Sequence, residues 1–205
     1  MSARSYTRRQ LMLEMRKPYD AEIEYLESTG TQFIDTNFIP DVNSAARIIW
    51  SSIERNTYGY FGSRSLDYNG LYRFCGTTFI NGAYFAFAMT YNKWADNKVA
   101  LQNNTIYDCY AENGKYIING TEYSSDVISN YQGSAFYLFR YFGGNNDKWY
   151  RSKMRCYRLK LYSNNVLVRD MIPVRVGQVG YMYDKVSGEL FGNADTGDFI
   201  LGPDK

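Results

Sequence analysis

From Ala21 onward, short runs of aromatic and β-branched residues are separated by turn-forming pairs at intervals of roughly 8–12 residues, and no apolar 3.6-residue period persists. That spacing suits antiparallel strands closed by tight turns rather than packed helices. Four Asn-Gly pairs carry the signal: Asn69-Gly70, Asn81-Gly82, Asn113-Gly114 and Asn119-Gly120. Asn and Gly tolerate positive φ, which a two-residue hairpin needs to match the twist of its strands. The last two pairs frame Lys115-Tyr116-Ile117-Ile118 and predict a meander over residues 105–123. Composition agrees, because 21 Tyr and 12 Phe supply side chains that fit a pleated, half-buried surface. With 17 Gly against 4 Pro, the chain favours regular strands with tight turns over disorder.

Further strands are predicted at residues 22–27, 32–36, 47–53, 58–62, 135–139, 154–162, 166–173 and 180–184. Acidic and apolar residues alternate in the first of these except at Tyr25-Leu26, where a bulge or phase change is expected. Turns are expected at Ser28-Thr29-Gly30, Asn164-Asn165 and Ser187-Gly188. About a dozen short strands without helical periodicity indicate an all-β sandwich or barrel.

Residues 1–19 differ in kind: Arg4, Arg8 and Arg9 are basic, residues 7–17 are rich in helix formers, and Pro18 ends the run. We expect a short N-terminal arm or helix over 1–19 and one β domain over 20–205. The arm's apolar stretch, Leu11-Met12-Leu13, is too short for the core of a signal peptide, and no segment reaches the length of a membrane span. A net charge of +2 gives no whole-molecule field for nucleic acid. The local basic cluster from Arg151 to Lys160 reads as the solvated face of a strand. Cys75, Cys109 and Cys156 are too few and too widely spaced for a disulfide framework or a zinc site, which suggests a reducing compartment of synthesis; Cys109 reads as a small buried hydrophobe.

The chain contains no His, which removes histidine-activated nucleophiles and every histidine metal site. No Gly-rich loop precedes a helix in phosphate-binding form. Recognition of a sugar needs aromatic faces for its C–H surface and polar groups for its hydroxyls. Two loop stretches combine them: Tyr141, Asn145, Asn146, Asp147 and Trp149 in one, Trp94 and Asp96 in the other. These seven residues are the candidate glycan-binding positions. Against them stands the ordinary tendency of Tyr and Trp to cap the end of a sandwich with the polar tip in water.

The string from Glu24 to Thr36, EYLESTGTQFIDT, resembles the opening of a group of concanavalin A-like, laminin-G-like proteins of gut bacteria and their phages. The closing segment is similar too: Arg169-Asp170-Met171-Ile172-Pro173, then Gly180-Tyr181-Met182-Tyr183-Asp184, then Asn193, Gly197, Phe199 and Gly202-Pro203. Residues 156–162 stand where that group has the strand preceding its closing segment. The resemblance runs from about residue 22 to the end and implies a jelly roll of two antiparallel sheets. It implies less about activity, since the fold carries lectins, adhesion modules and glycanases alike. Glycanases of this architecture carry a Glu-x-Asp-x-Glu strand that aims three acids into one groove; Glu22, Glu24 and Glu27 break that spacing, so no catalytic residue is assigned. Related lectins often hold Ca²⁺, which takes six or more oxygens. Asn145, Asn146 and Asp147 could supply some, but no loop shows a spaced acidic set, so no metal or other cofactor is expected.

These readings converge on a non-catalytic binding or assembly module. The expected setting is a phage or prophage virion, with the arm contacting the particle or sister subunits of a homo-oligomer and the sandwich displaying a lectin-like surface. A secreted or cell-surface glycan-binding module of a gut bacterium is the alternative, and a glycoside hydrolase a distant third.

Overall fold

The computed structural model describes residues 17–54, 60–64, 72–79, 84–90, 99–125, 127, 129, 131, 133–142 and 149–205. Residues 1–16 of the predicted arm and the Asn69-Gly70 and Asn81-Gly82 turns lie outside these. Among the described residues all regular structure is strand: β1 (Ala21–Glu22), β2 (Leu26–Glu27), β3 (Ile34–Asp35), β4 (Ser44–Ser52), β5 (Phe61–Arg64), β6 (Tyr72–Phe79), β7 (Tyr84–Thr90), β8 (Val99–Ala100), β9 (Ile106–Glu112), β10 (Lys115–Ile118), β11 (Thr121–Ser124), β12 (Tyr137–Leu138), β13 (Arg140–Phe142), β14 (Trp149–Arg151), β15 (Met154–Ser163), β16 (Val166–Val176), β17 (Val179–Asp184), β18 (Leu190–Phe191) and β19 (Ile200–Leu201). The larger sheet runs β11-β10-β9-β4-β15-β16-β17-β18, with β1 beside β16 and β2 between β15 and β19. The smaller runs β3-β12-β5-β6-β7-β8, and β13 pairs β14. All pairings between these strands are antiparallel.

The two sheets meet face to face through aromatic rings. Trp50 of β4, fully buried, lies 5.9 Å from Phe61 and 5.0 Å from Phe85 of the smaller sheet, 4.5 Å from Tyr60, and 5.5 Å from Tyr107 of its own sheet. Ala46, Ile48 and Trp50 point inward while Arg47 stays exposed, the alternation expected of a half-buried strand. Phe74, Phe87 and Phe136 extend the ring cluster. At Gly76 a Cβ would strike the Phe61 ring and come within 2.8 Å of Phe85, so only a glycine lets β6 pass over these rings. Cys109 and Cys156 are buried in the same core as free thiols, and burial pushes both well above the ordinary thiol range.

The predicted meander is present as β9, β10 and β11. Its Asn119-Gly120 turn has positive φ at both residues, 48° and 84°, as does Asn164-Asn165 between β15 and β16, at 49° and 62°. In the Asn113-Gly114 turn the glycine takes it, at 94°. The expected break near Tyr25 is also real. Before it, Ala21 and Glu22 pair with Arg175 and Val174 of β16; after it, Leu26 and Glu27 pair with β15 on one side and β19 on the other. Pro173 marks the corresponding handover on β16, where pairing with β15 ends at Met171 and β1 takes over at Val174. A residue without an N–H fits such a change of partner.

Several strands are shorter than their sequences suggest. Only Ile34–Asp35 of 32–36 and Tyr137–Leu138 of 135–139 are paired, while the run at 58–62 pairs later, over Phe61–Arg64. Around Ile34, side-chain bonds replace the ladder. Gln32 is buried, and its Oε1 accepts from Thr29 N (2.9 Å), Thr29 Oγ1 (3.1 Å) and Ser28 Oγ (3.2 Å). Phe33 N donates to Asn193 Oδ1 at 3.1 Å, and Ala194 N to Phe33 O at 2.9 Å.

The opening and closing strings are therefore stitched to each other. Glu24 N donates to Pro203 O, Gly202 N to Tyr25 O, and Lys205 N to Glu22 O, at 2.9 to 3.0 Å. Arg169 Nε donates to Thr36 O at 3.3 Å. Buried Asp184 accepts from the backbone N–H groups of Asp170, Val186 and Ser187 at 2.8, 3.1 and 3.3 Å.

Candidate functional site

The hairpin of β13 and β14 carries two of the sequence-predicted glycan residues. Tyr141 stands opposite Tyr150, and Trp149 opposite Phe142, so the two candidates are one register position apart. Both belong to strands rather than to the loop in which the sequence placed them. Asn145, Asn146 and Asp147, and Trp94 and Asp96 of the second stretch, lie outside the described residues. The base of the hairpin is firmly mounted. Ser152 Oγ donates to Phe139 O at 3.1 Å, and Arg151 pairs with Asp195 at 2.6 Å. Arg140 is buried with its guanidinium over the Phe33 ring and 4.9 Å from the centroid of Tyr137; burial lowers its pKa to about 10.

A second site lies on the outer face of the larger sheet, built from register rather than from any local motif. β4 is flanked by β9 and β15, and its outward residues fall in three cross-strand rows. Ala45 lies between Glu112 and Tyr162, Arg47 between Tyr110 and Lys160, and Ile49 between Asp108 and Arg158. Opposite residues in such rows share a face with their Cβ atoms about 5 Å apart. The small side chain of Ala45 leaves a notch between two large neighbours. At that end an open, polar cleft of about 390 Å³ is lined by residues including Asn43, Ala45, Glu112, Asn113, Asn164 and Asn165. Two strand positions further on, a second cleft of about 140 Å³ is lined by Arg47, Ile49, Arg158 and Lys160. From Ala45 to Ile49 the trough is ~13 Å long.

Its electrostatics are those of three cations sharing two carboxylates. Arg47 forks onto Asp108 through Nε at 2.9 Å and Nη2 at 2.5 Å, and Arg158 onto Asp170 at 2.9 and 2.8 Å. Hydrogen bonding to these acids raises both guanidinium pKa values. Lys160 stands opposite Asp170 in the register yet forms no ion pair among the described residues. Tyr110 donates to Glu112 at 2.7 Å, which holds that carboxyl below its usual range with help from Lys115; burial and the anionic partner push the Tyr110 phenol up. Tyr162 lies within electrostatic reach of Arg47, Arg158 and Tyr110.

The basic run from Arg151 to Lys160, read as a solvated face, does face outward, but it is substantially paired: Lys153 with Glu54, Arg155 with Glu27, and Arg158 with Asp170. Sequence reasoning missed the trough because its cations come from strands more than a hundred residues apart in the chain (Arg47 and Lys160). The Asn164-Asn165 and Asn113-Gly114 turns, both recognised as turns, were its legible edges. Among the described residues no group of three or more His, Cys, Asp or Glu is placed to hold a metal ion. In comparisons with known proteins, no family model, no curated protein and no solved structure matches the chain.

Proposed function

We propose that this protein is a non-catalytic recognition and assembly module, a concanavalin A-like jelly roll displayed on a phage virion, with residues 1–19 as its attachment arm. The observation that carries the reading is the placement of two features on one strand. At one end of β16, Asp20 N donates to Arg175 O at 2.9 Å and Gly177 N donates to the Asp20 carboxylate at 2.7 Å, which fixes the chain where the arm joins the sandwich. At the other end, Val166 follows the Asn164-Asn165 turn that edges the larger cleft. The 11 residues of β16 hold these points ~35 Å apart. A junction with residues 1–19 at one end of β16 and an open polar cleft at the other suit a protein held by one end that presents the other.

The trough's chemistry supports binding over catalysis. Its arginines are held in two-point ion pairs and, as guanidinium groups, stay charged near neutrality, whereas acid–base catalysis draws on groups poised near the working pH. A glycan-binding module at a bacterial surface would use the same face, and the two settings differ in the arm.

The test is a deletion of residues 1–19. The truncated protein should keep the thermal unfolding transition and the solution ligand binding of the whole chain while failing to enter assembled particles. Normal incorporation of the truncated chain would sink the attachment role and leave the surface-module reading.

A further inference from the structure

We propose that the outer-face trough along β4 binds an acidic polysaccharide, with Lys160 taking the sugar's carboxylate or sulfate group and the asparagine-lined cleft its hydroxyls. This rests on the reading of the chain as a recognition module and names the chemistry of its ligand.

Three observations converge. Arg47 and Arg158 each hold a forked carboxylate, while Lys160 feels the charge of Asp170 but has no ion pair among the described residues. An ammonium that lines the same cleft as two guanidinium groups, each with N–H donors beyond its ion pair, is a ready counter-charge for one anionic group. The cleft's volume of about 140 Å³ is ample for one carboxylate or sulfate group. Next to it the lining changes from cationic to neutral and polar. The larger cleft offers Asn43, Asn164 and Asn165, whose amides both donate and accept, the pairing that sugar hydroxyls need. Both residues of its Asn164-Asn165 edge sit in the left-handed region, in a tight turn between β15 and β16. Tyr110 and Tyr162 stand in the cross-strand rows of Arg47 and Ala45 and offer an apolar body with a polar tip beside the trough. A monoanionic group beside a run of hydroxyls, spread over ~13 Å, describes a uronate or sulfated oligosaccharide. Duplex nucleic acid, with a charge every ~1.7 Å, would need a longer cationic track than one lysine and two carboxylate-paired arginines supply.

The experiment uses the full chain and three probes in parallel: an oligogalacturonate, a neutral β-glucan oligomer of the same length, and a short DNA duplex. We expect the oligogalacturonate to bind most tightly and to weaken as salt rises. Lys160→Glu should weaken that binding at least tenfold, and Lys160→Arg should retain most of it. Lys153→Glu, a charge reversal of the same size outside the trough, should leave it unchanged. Melting temperatures of the variants separate lost binding from lost fold. Equal binding of the acidic and neutral sugars, insensitive to Lys160→Glu, would overturn the charge assignment and leave sugar recognition standing. Preference for the duplex, abolished by Lys160→Glu, would overturn the polysaccharide in favour of nucleic acid. Absence of binding to any probe would overturn the inference, while the arm-deletion test would still decide the assembly role.

Discussion

Asp170 shows how one side chain ties the trough to stability. It lies on β16 opposite Lys160 and holds the Arg158 guanidinium at two points, with its own side chain largely covered. Burial alone would raise its pKa; the hydrogen bonds and charge of Arg158 outweigh that and lower it. A carboxylate held lower in the folded chain than in the unfolded one adds stability that is complete above the unfolded value, near 3.9, and is lost as pH falls through the folded value. Asp170→Asn should therefore cost about 1–2 kcal/mol at pH 7, by denaturant titration. The gap from the parent should close as the pH is taken from 5 towards 2. A gap that stayed constant across that range would show that the carboxylate's charge is not what matters.

The hairpins were the most legible elements, because a two-residue turn writes its demand for positive φ directly into residue type. Asn119-Gly120 and Asn164-Asn165 could be placed before any contact was known, and the break near Tyr25 showed as a lapse in alternation. Strand lengths around Ile34 and Tyr137 were not legible, since side-chain bonds from Ser28, Thr36 and Asn193 satisfy the backbone there in place of a ladder. The turn at Asn165 offers a direct check. At φ 62° a Cβ without a compensating side-chain amide is disfavoured, so Asn165→Ala should lower stability by about 1–2 kcal/mol. Asn165→Gly should stay within about 0.5 kcal/mol of the parent. Equal losses from both changes, measured by urea unfolding, would move the cause from backbone conformation to the amide's own contacts.

Across the whole molecule, the opening and closing strings are the segments that close the fold. Asn193, Arg169 and Gly202 hold the two strings against each other, and none of them lines the trough. Both strings were legible because each is a continuous stretch of sequence. The trough was illegible for the opposite reason: Arg47, Asp108 and Lys160 become neighbours only once the pairing of β4 with β9 and β15 is known. Gly202 tests the closure. A Cβ there would lie 2.8 Å from the backbone nitrogen of Tyr25 and 3.0 Å from its ring, and a backbone atom has little freedom to retreat. Gly202→Ala should cost about 1–3 kcal/mol in thermal or urea unfolding, and a parent-like transition would show that the two strings are not tightly joined. The seam also sets an order of events during synthesis. Leu26 cannot meet Leu201, nor Glu22 the amide of Lys205, until residues 200–205 have left the ribosome. Until they emerge, a nascent chain must hold its aromatic interior unfinished, with β15 and β4 waiting for the edge that covers Leu26. Ribosome stalling before residues 200–205 emerge should yield a protease-sensitive chain, and extension past them should bring resistance in a single step.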